Sequence, residues 1–457
     1  MKTTFALIAS LMLALMTTQQ AMAQNVVNIT EGTFEPTPIA IPDFSGDTPE
    51  AVARGADIAE VIRSDLANSG LFRTIDEAAF IEKDLAIDML PRFGDWKVLN
   101  TEALIVGKTI VNPDGRMATQ FRIYDVFNGR QLFSTQYTIE VVDGWRRLAH
   151  IIADDIYTNL TADGRYFDSR IVFITETGNR SRRTKRLTIM DQDGANPEFL
   201  TDGAIEVESP RFDPSSQTII YNAIVPDRNN PLIPRRRVYL FDIETGQQEV
   251  IGNYGFSNFA ARFSPDGRFV AMSLAQNGNT DIFLLNLNRR GETTRLTTDP
   301  SIDTSPSYSP DGERIVFTSD RGGSEQLYVT RTDGSAMDCP TGGRDKVCRI
   351  TFGEGRYSTP VWSPRGDLIA YTRQVGGEFE IGVIKPDGSG ERALARDYHA
   401  EGPTWSPNGR VIAFFKEPRG GWPSLWSVDL TGRNERRIRT PDNASDPAWS
   451  PLLSKEK

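Results

Sequence analysis

The sequence predicts two domains, an N-terminal α/β domain followed by a six-bladed all-β propeller closed by the C-terminal strand. Three observations predict it. An aromatic–Ser/Asp–Pro triplet recurs six times, a stretch of mixed helix and strand patterns precedes it, and the chain ends on the strand that the first repeat lacks.

The triplets are Phe212-Asp213-Pro214, Phe263-Ser264-Pro265, Tyr308-Ser309-Pro310, Trp362-Ser363-Pro364, Trp405-Ser406-Pro407 and Trp449-Ser450-Pro451. Their prolines lie 51, 45, 54, 43 and 44 residues apart. A Pro/Arg-rich insertion, Val225 to Arg237, lengthens the first interval, and the loop between Cys339 and Cys348 lengthens the third. Ser264-Pro265-Asp266-Gly267 and Ser309-Pro310-Asp311-Gly312 have the composition of a type I turn followed by a bulge, which makes a hairpin. Short runs such as Ile315-Val316-Phe317-Thr318 and Val411-Ile412-Ala413-Phe414 then read as buried strands, too brief for helices. Arg170 to Thr201 supplies the last three strands of a unit and Pro447 to Leu452 supplies the first strand alone. Joining them closes the ring and removes exposed edges. The signature aromatics are expected between blades rather than on a ligand.

Met1 to Ala23 carries Lys2, the apolar run Phe5 to Met16 and Ala21-Met22-Ala23, the pattern of a cleaved signal peptide. Twelve residues rise about 18 Å as a helix, short of the roughly 30 Å of a hydrocarbon layer, so membrane insertion is not expected. Residues 37–165 read as the α/β domain and 166–457 as the propeller. In the former, Pro38 to Pro42 suggests a strand, and Ala51 to Asn68 an amphipathic helix with Val52, Ala56, Ala59, Ile62 and Leu66 inward. Met117 to Val126 and Gln131 to Val141 suggest a hairpin, and Trp145 to Leu160 a second helix. The formal charge of −10 argues against nucleic acid as a partner. An exported chain favours a disulfide between its two cysteines, Cys339 and Cys348.

Catalytic motifs are scarce. Gly107-Lys108-Thr109 resembles the end of a phosphate loop, but Glu102 stands where the earlier glycine is needed. Gly-x-Ser-x-Gly and His-Glu-x-x-His are absent, and only His150 and His399 are available. No enzyme activity and no cofactor are expected. The residues that precede each signature strand should instead share the mouth of the axial channel: Glu208 and Ser209, Ser257 and Asn258, Asp303, Thr304 and Ser305, Tyr357 to Thr359, His399 and Glu401, Ser445 and Asp446. Four carboxylates around one opening should attract a basic segment or a cation, and Ca²⁺ in the acidic channel stays open. Arg235-Arg236-Arg237 reads as a solvated run.

Pro38-Ile39-Ala40-Ile41-Pro42-Asp43-Phe44, Asp65 to Phe72 and Val111-Asn112-Pro113-Asp114-Gly115, together with the repeats and the terminal Pro447 to Leu452, resemble the TolB family of the Tol-Pal cell-envelope system. The resemblance implies a periplasmic, non-enzymatic scaffold that maintains outer-membrane integrity and invagination during cell division. It implies that the propeller mouth binds Pal, the peptidoglycan-associated lipoprotein, through Glu208, Ser257, Asn258, Asp303, Thr304, Ser305, Thr359, His399, Glu401 and Asp446. Colicin-type peptides can occupy that channel in the family. A mobile stretch, residues 24–36, would bind the C-terminal domain of TolA, with Val26, Val27, Asn28 and Ile29 adding as a strand to a partner's sheet edge. The family's contact acid falls at Ser305 and its rim histidine at Ser257, so both contacts are altered here. A periplasmic propeller hydrolase or lyase, or a sugar-binding propeller, is the alternative, and capture of Pal and TolA domains separates the readings.

Overall fold

The computed structural model describes residues 35–453 except 84, 141–143, 180–181, 227–232, 253–257 and 290–291. The signal segment, Val26, Val27, Asn28 and Ile29, and the expected rim residue Ser257 lie outside the described residues.

The front domain is built on one mixed sheet. Its strands run Phe72–Thr74, Thr37–Ala40, Ala103–Val111, Met117–Asp125 and Arg130–Ile139 in spatial order, parallel at the first two junctions and antiparallel at the last two. Thr48 starts the first long helix, Pro49–Asn68: its hydroxyl accepts from the Ala51 N–H at 3.2 Å, and Pro49 occupies a first-turn position where no N–H is missed. The buried stripe is Ala51, Gly55, Ile58, Ala59, Ile62 and Leu66. Val52, expected on that stripe, is instead 49% exposed. The helix is rotated so that Gly55 faces the core, where a Cβ would lie 2.2 Å from the Phe44 carbonyl oxygen. The second long helix, Trp145–Thr161, buries Leu148, Ile152, Ala153 and Ile156 in the same core.

The propeller consists of six four-stranded antiparallel sheets. Blade 1 joins Asn443–Trp449 to Arg170–Asn179, Arg182–Asp191 and Glu198–Phe199. The inner strands of blades 2 to 6 are Glu206–Phe212, Asn258–Phe263, Asp303–Tyr308, Arg356–Trp362 and Ala400–Trp405. The closure is therefore the expected one, and reciprocal bonds tie it: Ser450 N–H to the Arg170 carbonyl and Arg170 N–H to Ser450 Oγ, each 2.8 Å. The signature turns behave as their composition dictates. In blade 3, Gly267 sits at φ +67°, its N–H donates to the Ser264 carbonyl at 2.9 Å, and Ser264 Oγ accepts from Phe269 N–H at 2.9 Å. Phe212, Phe263, Trp362, Trp405 and Trp449 are all buried in clusters between sheets. Cys339 and Cys348 form a disulfide that ties the blade 4 insertion to that blade's outer strand, Val347–Arg349.

The two domains share one hydrophobic core. Ile62, Leu66, Ile152 and Ile156 of the helices belong to the same cluster as Phe173, Met190, Val411, Phe415, Leu425 and Trp449 of blades 1 and 6. Polar contacts fix the junction: Arg410 donates twice to Asp163 at 2.6 and 2.8 Å, and Asn408 Nδ2 donates to the Gly164 carbonyl at 2.9 Å. Burial of this much apolar surface across the junction favours rigid docking over hinge motion.

Candidate functional site

The six inner strands surround the axis, and each ladder breaks at the same place. Register shifts fall between Glu208 and Arg211, Phe259 and Arg262, Thr304 and Ser307, Ser358 and Val361, Glu401 and Thr404, and Ser445 and Ala448. Within each bulge one residue adopts the left-handed region: Ser209, Ala260, Ser305, Thr359, Gly402 and Asp446, at φ between 46° and 69°. Only Gly402 does so without steric cost. A proline follows in five of the six, and a residue that cannot donate to the ladder suits a place where pairing is interrupted. Several of these residues were expected at the mouth of the channel, and the proline that recurs two residues before the signature aromatic is the composition signal of the bulge.

At the mouth, two of the four acids expected to stand free are already matched by arginines. Glu208 Oε1 accepts from Arg236 Nε at 2.5 Å, so one arginine of the supposedly solvated Arg235–Arg237 run reaches the rim. Asp303 is fully buried and both its oxygens accept from Arg321 at 2.9 Å. Asn258 is likewise fully buried. Neither Asp303 nor Asn258 can offer side-chain surface at the mouth as expected, because inner-strand pleating turns them into the blade. Thr359 Oγ1 donates to Thr372 Oγ1 at 2.8 Å, and the Ser305 N–H donates to Ser273 Oγ at 3.2 Å. Thr304 lies half-buried on the blade 4 inner strand.

His399 and Glu401 remain accessible, at 30% and 34% side-chain exposure, with His399 Nε2 3.2 Å from Glu401 Oε2. The hydrogen bond to Glu401 raises the imidazole pKa against the opposing pull of burial, and the charges of Glu401 and Glu417 add to the rise. The network continues across blades 6 and 1: Arg183 donates to Glu417 at 3.4 Å and to Glu176 at 2.6 Å, and Ser445 Oγ donates to Glu176 at 2.8 Å. The His399 ring also packs on Phe379 and Phe415 at 4.7 and 5.4 Å. Asp446 accepts from the Ser209 N–H at 3.2 Å, and burial raises its pKa although Arg211 works against that rise. The residues that the sequence analysis missed here are Arg236, Arg321, Arg183 and Glu417. Arg236 and Arg321 lie 28 and 18 residues from the acids they meet, Glu417 faces His399 from the next strand's end, and Arg183 reaches Glu176 across a hairpin, seven residues away.

The channel's other end is lined by the signature triplets themselves, around a cavity of about 590 Å³. Arg211 and Arg262 project into it from blades 2 and 3. A further polar cluster lies at the domain junction. Asp65, His150 and Asp193 place ligand-type atoms within 4.8 Å of one another, and each is already engaged by a protein group, with His150 Nε2 left buried and without a hydrogen-bond partner. Gln192 Nε2 donates to Asp65 at 2.7 Å, Arg146 pairs with Asp193, and His150 Nδ1 is 2.6 Å from Asp65. The arrangement serves as an ion-pair lock between the domains. His150 thus has the structural position expected of it.

Comparison with known proteins decides the family. Residues 25–132 match the family model described as TolB amino-terminal domain, and residues 157–453 match that of the TolB beta propeller domain. The chain belongs to the TolB family. Its solved relatives include TolB from Acinetobacter baumannii, 26% identical, with a TM-score of 0.78 over 91% of this chain and 97% of that one. A putative TolB from Agrobacterium tumefaciens is 19% identical over 62% of this chain and 98% of that chain, with a TM-score of 0.45. Hydrazine synthase from Kuenenia stuttgartiensis shares only the propeller fold, at 11% identity, a TM-score of 0.50, and coverage of 64% of this chain and 47% of that one. The TolB-family assignment spans both domains, and among the described residues no helix is long and apolar enough to cross a membrane.

Proposed function

We propose that this chain is a periplasmic, non-enzymatic scaffold of the Tol-Pal system that binds Pal at the propeller mouth and TolA through residues 24–36. In this reading it supports outer-membrane integrity and invagination at division. The observation that carries the reading is family membership across both domains. The mouth chemistry is compatible with it. Accessible Glu401 and His399, Glu208 held by Arg236, and the backbone of the six bulges offer mixed hydrogen-bonding partners rather than a nucleophile with a positioned base. Such a rim suits a polar protein partner more than a bare cation, because its acids are largely neutralised in place. Ca²⁺ in the channel is a weaker proposal for the same reason.

A two-partner titration tests the reading. The mature chain is titrated with the soluble domain of Pal and separately with the C-terminal domain of TolA. Glu401→Lys should weaken Pal binding at least tenfold, about 1.4 kcal/mol, and leave TolA binding unchanged. Removing residues 24–36 should abolish TolA capture and spare Pal. Asp303→Lys is the wrong probe, since it would strand Arg321 inside the blade and test folding instead. Full Pal affinity in Glu401→Lys sinks the rim assignment, and TolA capture by the truncated chain sinks the other.

A further inference from the structure

The far end of the axial channel carries two guanidinium groups that the protein itself leaves unmatched. Arg211 and Arg262 occupy equivalent positions, each immediately before the signature aromatic of its blade. The other four equivalents are Ser307, Val361, Thr404 and Ala448, so the positive charge is gathered on one wall. Nε of both arginines is buried and has no hydrogen-bond partner. The bonds they do make are to the carbonyl of the preceding residue, Pro210 at 2.5 Å and Ala261 at 3.1 Å. Among the described residues, neither forms an ion pair.

The electrostatics point the same way. Desolvation pulls the Arg211 pKa down to about 10, with Asp446 the only opposing charge. Arg262 falls further, because Arg211 repels it in addition to its own desolvation, and again only Asp446 opposes. Two cations thus face one carboxylate, and that carboxylate sits nearer the mouth, two residues up the inner strand from the position equivalent to the arginines. An arrangement of this kind costs stability unless something negative fills it.

The surrounding groups complete a receptor. Ser307 Oγ accepts from Trp362 N–H and Thr404 Oγ1 from Trp449 N–H, each at 3.1 Å, and neither hydroxyl donates to another atom among the described residues. Their protons are available to the cavity. Pro214, Pro265, Pro310 and the signature rings make the rest of the wall apolar, which strengthens any charge interaction inside it.

We propose that this end of the channel is an oxyanion site, in which Arg211 and Arg262 hold a phosphate or carboxylate group between planar donor forks, assisted by Ser307 and Thr404. Guanidinium forks match the two-oxygen edge of such groups better than they match a halide. The volume of about 590 Å³ admits an anion with an apolar body as well as an inorganic ion. The site is separate from the acid-bearing mouth and does not rest on either partner assignment.

The test uses the mature chain, exchanged into chloride buffer and titrated calorimetrically at constant ionic strength with inorganic phosphate and, separately, with benzoate. One saturable site per chain is expected for at least one of the two. Tighter phosphate binding identifies an inorganic or phosphoryl ligand, and tighter benzoate binding a carboxylate on an apolar body. Either supports the site. Arg211→Gln with Arg262→Gln should weaken binding at least tenfold. Arg262→Gln alone should raise the melting temperature without added anion, by removing the repulsion, and that gain should vanish at saturating phosphate. Should the double variant fold poorly, the single variant still decides the matter through that reversal. Absence of saturable binding for both anions, or binding undiminished in the variants, overturns the proposal.

Discussion

Raising the pH should destabilise the front domain, where its helices meet the propeller, by deprotonating His150. The ring is 3% exposed on the second long helix, with Nδ1 2.6 Å from Asp65 of the first. Burial lowers the imidazole pKa, but the Asp65 carboxylate more than reverses that, and Asp193 and Asp191 add to the rise, leaving a value of about 9 against the ordinary 6.5. The folded state therefore holds a proton that the unfolded chain releases first. The stabilisation is complete below about pH 6.5 and is lost as the pH climbs through about 9. A shift of this size corresponds to about 3 kcal/mol. Gln192, which donates to Asp65, does not ionise over the interval. Urea unfolding would be followed at several pH values from about 6 to about 9.5, for the wild type and for His150→Gln. The wild type should lose about 3 kcal/mol more than the variant across that range. Parallel curves would refute the assignment of His150 as a charged lock.

Three further outcomes follow from the packing. Trp449→Ala removes a buried ring that seals the closing strand and touches Tyr166 and Ser169, and should cost about 3–5 kcal/mol in a urea titration; an unchanged midpoint would mean that the tail does not close the ring. Replacing Cys339 and Cys348 by serine opens a loop with a sequence separation of nine, and the chain-entropy argument gives a loss of about 2–3 kcal/mol. That loss should be confined to the blade 4 insertion, as read by local hydrogen exchange. Ser305→Gly relieves a left-handed residue at φ 55° while keeping its N–H bond to Ser273, and should stabilise by about 0.5–1 kcal/mol after the entropy of glycine is deducted; a lower melting temperature would show that the bulge carries no strain.

Most of the architecture was legible because the repeat is written in residues with narrow conformational uses. Ser-Pro-Asp-Gly demands its turn, and the missing strand at residue 170 demands the one at residue 449. The helix stripe was misplaced at Val52 because periodicity cannot see that Gly55 is required against Phe44. At the mouth, sequence position identified the right loops and the wrong availability. Asp303 stands five residues before its signature aromatic and Glu401 four, so the pleat turns Asp303 into the blade, where Arg321 takes it, and leaves Glu401 accessible. The one-residue offset is visible in the sequence, but the arginine that meets the buried acid is not encoded in local composition. Arg211 and Arg262 were within reach. Aligning the six triplets one residue further back exposes two arginines among otherwise uncharged residues, which was a signal of uneven charge along the axis.

That unevenness gives the channel a direction. Acids at the mouth have cations supplied by other strands and loops, as Glu208 has Arg236 and Asp303 has Arg321, so little net field survives there. At the opposite end neither arginine has an ion pair among the described residues, and Asp446 is the charge that opposes their desolvation. A passage with low-dielectric walls concentrates the field of such an unmatched pair. A bare divalent cation drawn in by the mouth would meet rising potential as it descended, whereas an anion entering from the signature-turn end would meet falling potential. The same six-fold scaffold therefore presents a mixed hydrogen-bonding face at one opening and a positively charged cup at the other. The separation comes from placing acid and arginine on either side of the bulge, as at Glu208 and Arg211, along strands that all bulge at the same level.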